Sequence, residues 1–148
     1  MPPQLTGPYP IALRADDVVP EIWDPLAEAF AEALGLDDDE VRFDARVIGD
    51  LGAESLDFLD IAFRLERAFD IKIPRGGIEQ SARAESGEAY EVDGVLTPLG
   101  LEKLREVMPE VPREEFVEGL KTTQVPELFR VGTFYNLVVF LLNQKAEG

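Results

Sequence analysis

The stretch SLDFLDIAFRLERAF, residues 55–69, constrains this chain more than any other, because its apolar residues recur with the period of an α-helix. At about 100° per residue, Phe58, Ile61, Ala62, Leu65 and Phe69 form one wide face, the core face of an amphipathic helix. IKIP follows, and its proline forbids continuation, so the spacing predicts a helix over Ser55–Phe69 that ends before Ile71. Leu56, Leu59 and Phe63 form a second, narrower stripe roughly 140° away. Asp57, Asp60, Arg64 and Arg67 lie beside it, and Glu66 lies on its other flank. A helix buried on one side does not need a second stripe for stability. It is either covered by another element of the chain or is an apolar docking surface rimmed by acids.

Ser55 opens this helix. Serine is a favoured N-cap, yet the reciprocal capping box counted from Ser55 fails, because Phe58 stands where Glu or Gln would be needed. A helix N-terminus also accommodates a phosphate through free N–H groups and the helix dipole, so the position suits a serine carrying a phosphorylated group. A catalytic serine is harder to defend. GAESL is not the G-x-S-x-G elbow, no S-x-x-K occurs, and the chain has no histidine to accept the hydroxyl proton.

Other elements fall around this one. Ile22, Leu26, Ala29, Phe30 and Ala33 predict a first helix within Pro20–Leu34, stopped by Gly35, with Pro20 and Pro25 leaving its start open. Residues 36–54 read as a long ordered loop. Residues 75–87 read as a polar linker, Asp93-Gly94 as the turn of a small hairpin, and Thr97-Pro98 as the cap and first position of a helix carrying Leu101, Leu104, Val107 and Met108. Another short helix is expected at Glu114–Leu120, and a last one capped by Thr133. Residues 1–18 are a proline-rich extended lead-in, and 19–148 form a single domain. With 148 residues, 45% hydrophobic, the chain has material for one core.

Composition removes whole classes of function. Thirty acidic against fourteen basic residues leave a formal charge of −16, which disfavours nucleic acid and favours partners with basic surfaces. Without cysteine or histidine there are no disulfides, no thiol nucleophile and no imidazole ligand. No metal site is expected: an EF-hand loop starting at Asp37 would need glycine where Arg42 stands. No signal-peptide pattern opens the chain, and LVVFLL at 137–142 is too short to span a bilayer. These features predict a cytoplasmic protein that does not insert into membranes.

In order, the loop LGLDDDEVRFDARVIGDLGA, the segment DLGAESLDFLDIAFRLERAFDIKIP and the closing VGTFYNLVVFLL resemble acyl carrier proteins. The resemblance covers roughly 20–74 and 131–143. It implies a mainly α, acyl-carrier-like four-helix bundle, with a small hairpin and extra helix inserted at about 75–129. It further implies that Ser55 receives 4′-phosphopantetheine from coenzyme A through a phosphopantetheinyl transferase. The chain would then be a non-catalytic carrier in fatty-acid, lipid or polyketide-type synthesis, holding acyl groups as thioesters. Partners would be acyl-loading, ketosynthase or acyltransferase enzymes with basic docking rims. Glu54, Leu56, Asp57, Asp60, Phe63 and Glu66 match partner-facing positions. Ile61, Leu65, Phe69, Ile71 and Ile73 match positions of the core or acyl pocket. Glu54 departs from the aspartate general at its position, and Arg67 stands where an acid is common. The insertion would add packing, with the second stripe a candidate for its cover, or would select a partner or lengthen the pocket. Two alternatives stay open: an unmodified docking or regulatory protein of the same fold, and an aminoacyl or peptidyl carrier.

Overall fold

The computed structural model describes residues 8–74 and 77–147; the first seven residues of the predicted lead-in, and Arg75 and Gly76 of the predicted linker, lie outside them. Helix α1 spans Pro20–Leu34, with Pro20 in its first turn and Gly35 closing it at φ 67°, where its N–H donates to the Ala31 carbonyl. Pro25 sits inside this helix rather than ending it. Helix α2 spans Ser55–Phe69, as its periodicity requires. Between them, residues 36–54 form a long loop with one short 3-10 turn at Asp38–Glu40.

The segment read as a polar linker is instead largely helix α3, Gly77–Ser86. Its low apolar content hid it, since it packs mainly within the insertion, against the helix at Pro98–Val107, and only lightly against the bundle. Strands β1 (Glu91–Val92) and β2 (Val95–Leu96) pair antiparallel, Glu91 opposite Leu96 and Val92 opposite Val95. Asp93 and Gly94 both have positive φ, the requirement of a type I′ turn. Helix α4, Pro98–Val107, is capped by Thr97, whose hydroxyl accepts the Gly100 N–H at 3.0 Å. The expected helix at 114–120 reduces to a 3-10 turn at Arg113–Glu115, and a longer 3-10 segment runs over Thr122–Leu128. Helix α5, Val131–Glu147, begins two residues before Thr133. That threonine does not precede the helix; from inside the first turn its hydroxyl accepts the Arg130 N–H at 3.0 Å.

The buried apolar side chains divide into two clusters, not the one core expected from composition. The first unites Ile22, Leu26 and Phe30 of α1, Ile61, Leu65 and Phe69 of α2, and the inward residues of α5 with Val41, Phe43 and Val47 of the long loop. The second lies within the insertion, around Tyr90, Leu96, Leu104, Met108, Val111 and Val125. Phe129 packs against both. Local turns let the insertion close a core of its own, which a composition count cannot show.

Helix α5 is buried over most of its circumference as far as Leu142, as expected of a helix that is apolar nearly all round. Part of its cover is the lead-in. The Asn136 side chain exchanges two hydrogen bonds with the Ala12 backbone, at 2.7 and 2.8 Å, and Asn143 does the same with Tyr9. Three residues of extended chain reach roughly 10 Å and seven residues of helix rise about 10.5 Å, so the two clamps are in register.

The insertion joins the bundle through backbone and charge together. Val47 N–H donates to the Phe129 carbonyl at 3.0 Å, and Val131 and Gly132 donate to the carbonyls of Ala45 and Phe43. Arg130, 5% exposed, gives its guanidinium to the Leu128 carbonyl and the Glu115 carboxylate. Arg46 approaches the same carboxylate at 3.7 Å. Glu110 is a further charge at this joint. Among the described residues, neither of its carboxylate oxygens has a partner at hydrogen-bonding geometry. Burial pushes its pKa up to about 7, although Thr133, Asn136 and Arg130 lie near enough to oppose the rise.

Candidate functional site

The site is built on the N-terminus of α2. The N-cap is Glu54, with φ −111° and ψ 173°, not Ser55. The box that fails when counted from Ser55 has its returning half when counted from Glu54: Asp57, three residues on, accepts the Glu54 N–H at 2.8 Å. Ser55 is thereby released from capping. It is an exposed first-turn residue whose hydroxyl makes no hydrogen bond among the described residues. The N–H groups of a helix's first turn have no partners within the helix and, with the dipole, favour an anionic group here. An unbonded hydroxyl beside them fits a phosphodiester.

Leu56, Leu59 and Phe63 are 80%, 54% and 53% exposed. The insertion therefore does not cover the second stripe of α2; the reading of it as extra packing there is set aside. The acids around the stripe differ in their surroundings. Glu54 is exposed and Asp57 half-buried. Asp60 pairs with Arg64 at 2.9 Å, and Arg64 also reaches Glu32 of α1 at 2.8 Å, so one cation of the rim is drawn toward α1. Glu66 accepts the Ile73 N–H at 2.8 Å and so fastens the segment after α2.

Of the five residues matched to the core or acyl pocket, Ile61, Leu65, Phe69 and Ile71 are buried in the bundle. Ile73 is half-buried and lines a groove that Ser55 also lines, with a volume of about 520 Å³. The bundle contributes Ile48, Phe58, Phe134 and Leu137 to this groove, and the insertion contributes Thr123, Pro126 and Glu127. Phe129 lies between the two sets, its ring edge-on to Phe58 and Phe134 at 6.2 and 5.9 Å. Sequence reasoning singled out none of Thr123, Pro126, Glu127 and Phe129, because no periodicity marks a 3-10 segment. A larger cavity, about 650 Å³, lies along α1 beside Trp23, Glu28 and Glu32 and does not reach Ser55. Among the described residues, no helix is long and apolar enough to cross a membrane.

The family model described as "Phosphopantetheine attachment site" matches residues 24–81. The chain is 36% identical over 69 residues to an acyl carrier protein of Campylobacter lari, a span covering 47% of this chain and 90% of the relative. It is 42% identical over 70 residues to an acyl carrier protein of Sulfurovum sp., covering 47% and 91%. To the acyl carrier protein AcpXL of Brucella melitensis it is 46% identical over 52 residues, covering 35% of this chain and 56% of that one. No solved structure matches the chain.

Proposed function

The chain belongs to the acyl carrier protein family, a carrier of acyl groups on a covalent 4′-phosphopantetheine arm, and on that premise we propose that Ser55 bears the arm. The observation that carries this reading is the exposed, unbonded Ser55 hydroxyl on the first turn of α2, at the mouth of an apolar groove. Glu54 and Asp57 complete the cap between them, leaving the serine available for esterification. When attached, the arm supplies the thiol that this cysteine-free chain lacks. The chain's own residues hold the phosphate at a helix N-terminus and present α2 to partners.

A phosphopantetheinyl transferase installs the arm, and separate enzymes perform the chemistry on its cargo. Leu56 and Phe63 form the apolar part of the docking face. Glu54, Asp57, Asp60 and Glu66 form its acidic part, which suits basic rims and makes encounter fast and salt-sensitive. We take residues 19–148 as one carrier domain interrupted at about 75–129, acting in the cytoplasm.

The test is intact mass after incubation with coenzyme A, magnesium and a broad-specificity transferase. A gain of one phosphopantetheine on the parent and none on a folded Ser55→Ala variant is expected. A gain on the variant would place the arm elsewhere, and no gain on the parent would refute the reading.

A further inference from the structure

We propose that the insertion is a cargo wall: Thr123, Pro126 and Glu127, facing Phe58 and Phe129, form a groove that shelters an uncharged aliphatic acyl chain and rejects one ending in a carboxylate. The proposal rests on Ser55 bearing the arm.

The occupant follows from continuity and chemistry. Ser55 is itself part of the lining, so the groove starts at the attachment hydroxyl. Its volume of about 520 Å³ lies in the range of small-molecule sites. The helical core offers less room: Ile61 and Leu65 are fully buried, and Phe69 nearly so, within a packed cluster. Most of the lining is apolar, supplied by Ile48, Phe58, Ile73, Phe134 and Leu137 on the bundle side.

Among the described lining residues the charged ones are Glu79 and Glu127, both acids, and neither lysine nor arginine is one of them. Glu79 already accepts the Tyr90 hydroxyl at 2.6 Å and faces Arg83 at 3.6 Å. Glu127 is exposed, and no bond to its side chain is found among the described residues. A carboxylate on the cargo would therefore lose hydration without gaining a counter-charge from the described lining, whereas methylene groups would gain by leaving water.

The experiment loads the full-length holo-protein with octanoyl or with 7-carboxyheptanoyl groups and follows thioester cleavage by hydroxylamine. Amide NMR shifts are recorded alongside. Burial of two or three methylenes predicts roughly tenfold slower cleavage of the octanoyl form than of octanoyl-pantetheine, with shifts at Thr123, Glu127 and Phe129. The carboxyl-ended form should show no protection. Thr123→Trp, at an exposed position, should fill the groove and abolish protection while still accepting the arm, and Glu127→Lys should confer protection on the carboxyl-ended cargo. Shifts confined to Ile61, Leu65 and Phe69, or protection surviving in Thr123→Trp, would overturn the proposal and leave Ser55 as carrier of the arm. Failure of the parent to gain the arm would overturn both.

Discussion

Replacing Glu110 with glutamine should make the protein clearly more stable at pH 8 and only slightly more stable at pH 5. The carboxyl titrates near its ordinary 4.5 when unfolded and near 7 when folded, chiefly through burial at the joint between insertion and bundle. Between those two values the folded chain binds more protons than the unfolded one, so stability falls as pH rises through the window and the loss is complete above about 7. At about 1.4 kcal/mol per pH unit, the ionised form costs about 3 kcal/mol relative to the neutral one. Glutamine keeps the shape and stays neutral throughout, so Glu110→Gln should gain about 3 kcal/mol at pH 8 and only about 1 kcal/mol near pH 5, where the unfolded carboxyl is already mostly ionised. Urea unfolding of parent and variant at the two pH values measures this directly. The remaining carboxylates of this acidic chain are common to both proteins, so their contribution cancels in the difference. A gap between parent and variant that is the same at pH 5 and pH 8 would refute the assignment of a raised pKa to this buried carboxyl.

Asn136→Ala should cost about 2 kcal/mol, because it strips two hydrogen bonds from the backbone of the buried Ala12; a smaller loss in thermal unfolding would show the lead-in to be loosely attached. Gly132→Ala drives a methyl group into the Phe43 ring, an overpacking expected to cost about 1–3 kcal/mol, read from the urea midpoint. Gly100→Ala meets the Tyr90 backbone carbonyl and should lower stability by a similar 1–3 kcal/mol, with the loss of structure starting in the insertion by hydrogen exchange. On the docking face, Asp57→Lys should slow transfer of the arm to Ser55, and the deficit should shrink as ionic strength rises; a salt-independent deficit would point to a damaged helix start.

How legible all this is in the sequence depends on which forces act locally. Helices α1 and α2 are readable because their apolar residues repeat at helical spacing over four turns, and the hairpin because Asp93-Gly94 satisfies a turn that few dipeptides can. The cap at Glu54 was missed for a particular reason: serine is the commoner cap, and only the backbone shows that the helix starts one residue earlier than a serine cap would have it, at Ser55 itself. Helix α3 was missed because its packing partner is α4, so its apolar content is small. The groove was illegible beyond Ser55 and Ile73. Its far wall comes from residues some seventy positions downstream of the serine, and its position depends on how Phe129, Arg130 and Glu115 dock the insertion, a tertiary fact with no local signature. The match of Ile61, Leu65, Phe69 and Ile71 to core positions is consistent with their burial, while their role toward cargo is open to the NMR measurement above.

Pro74 and Phe129 both border the groove beside Ser55. The chain leaves the bundle and returns to it across the breadth of one depression, with a self-contained apolar cluster lying between the two points. Such a layout behaves as a cassette: the intervening segment can be lengthened, shortened or exchanged without rerouting the polypeptide through the bundle. Each exchange would re-line the groove beside the serine while leaving the opposite flank of α2, with Leu56 and Phe63, untouched. Choice of load and choice of docking partner could then diversify separately within a single short chain.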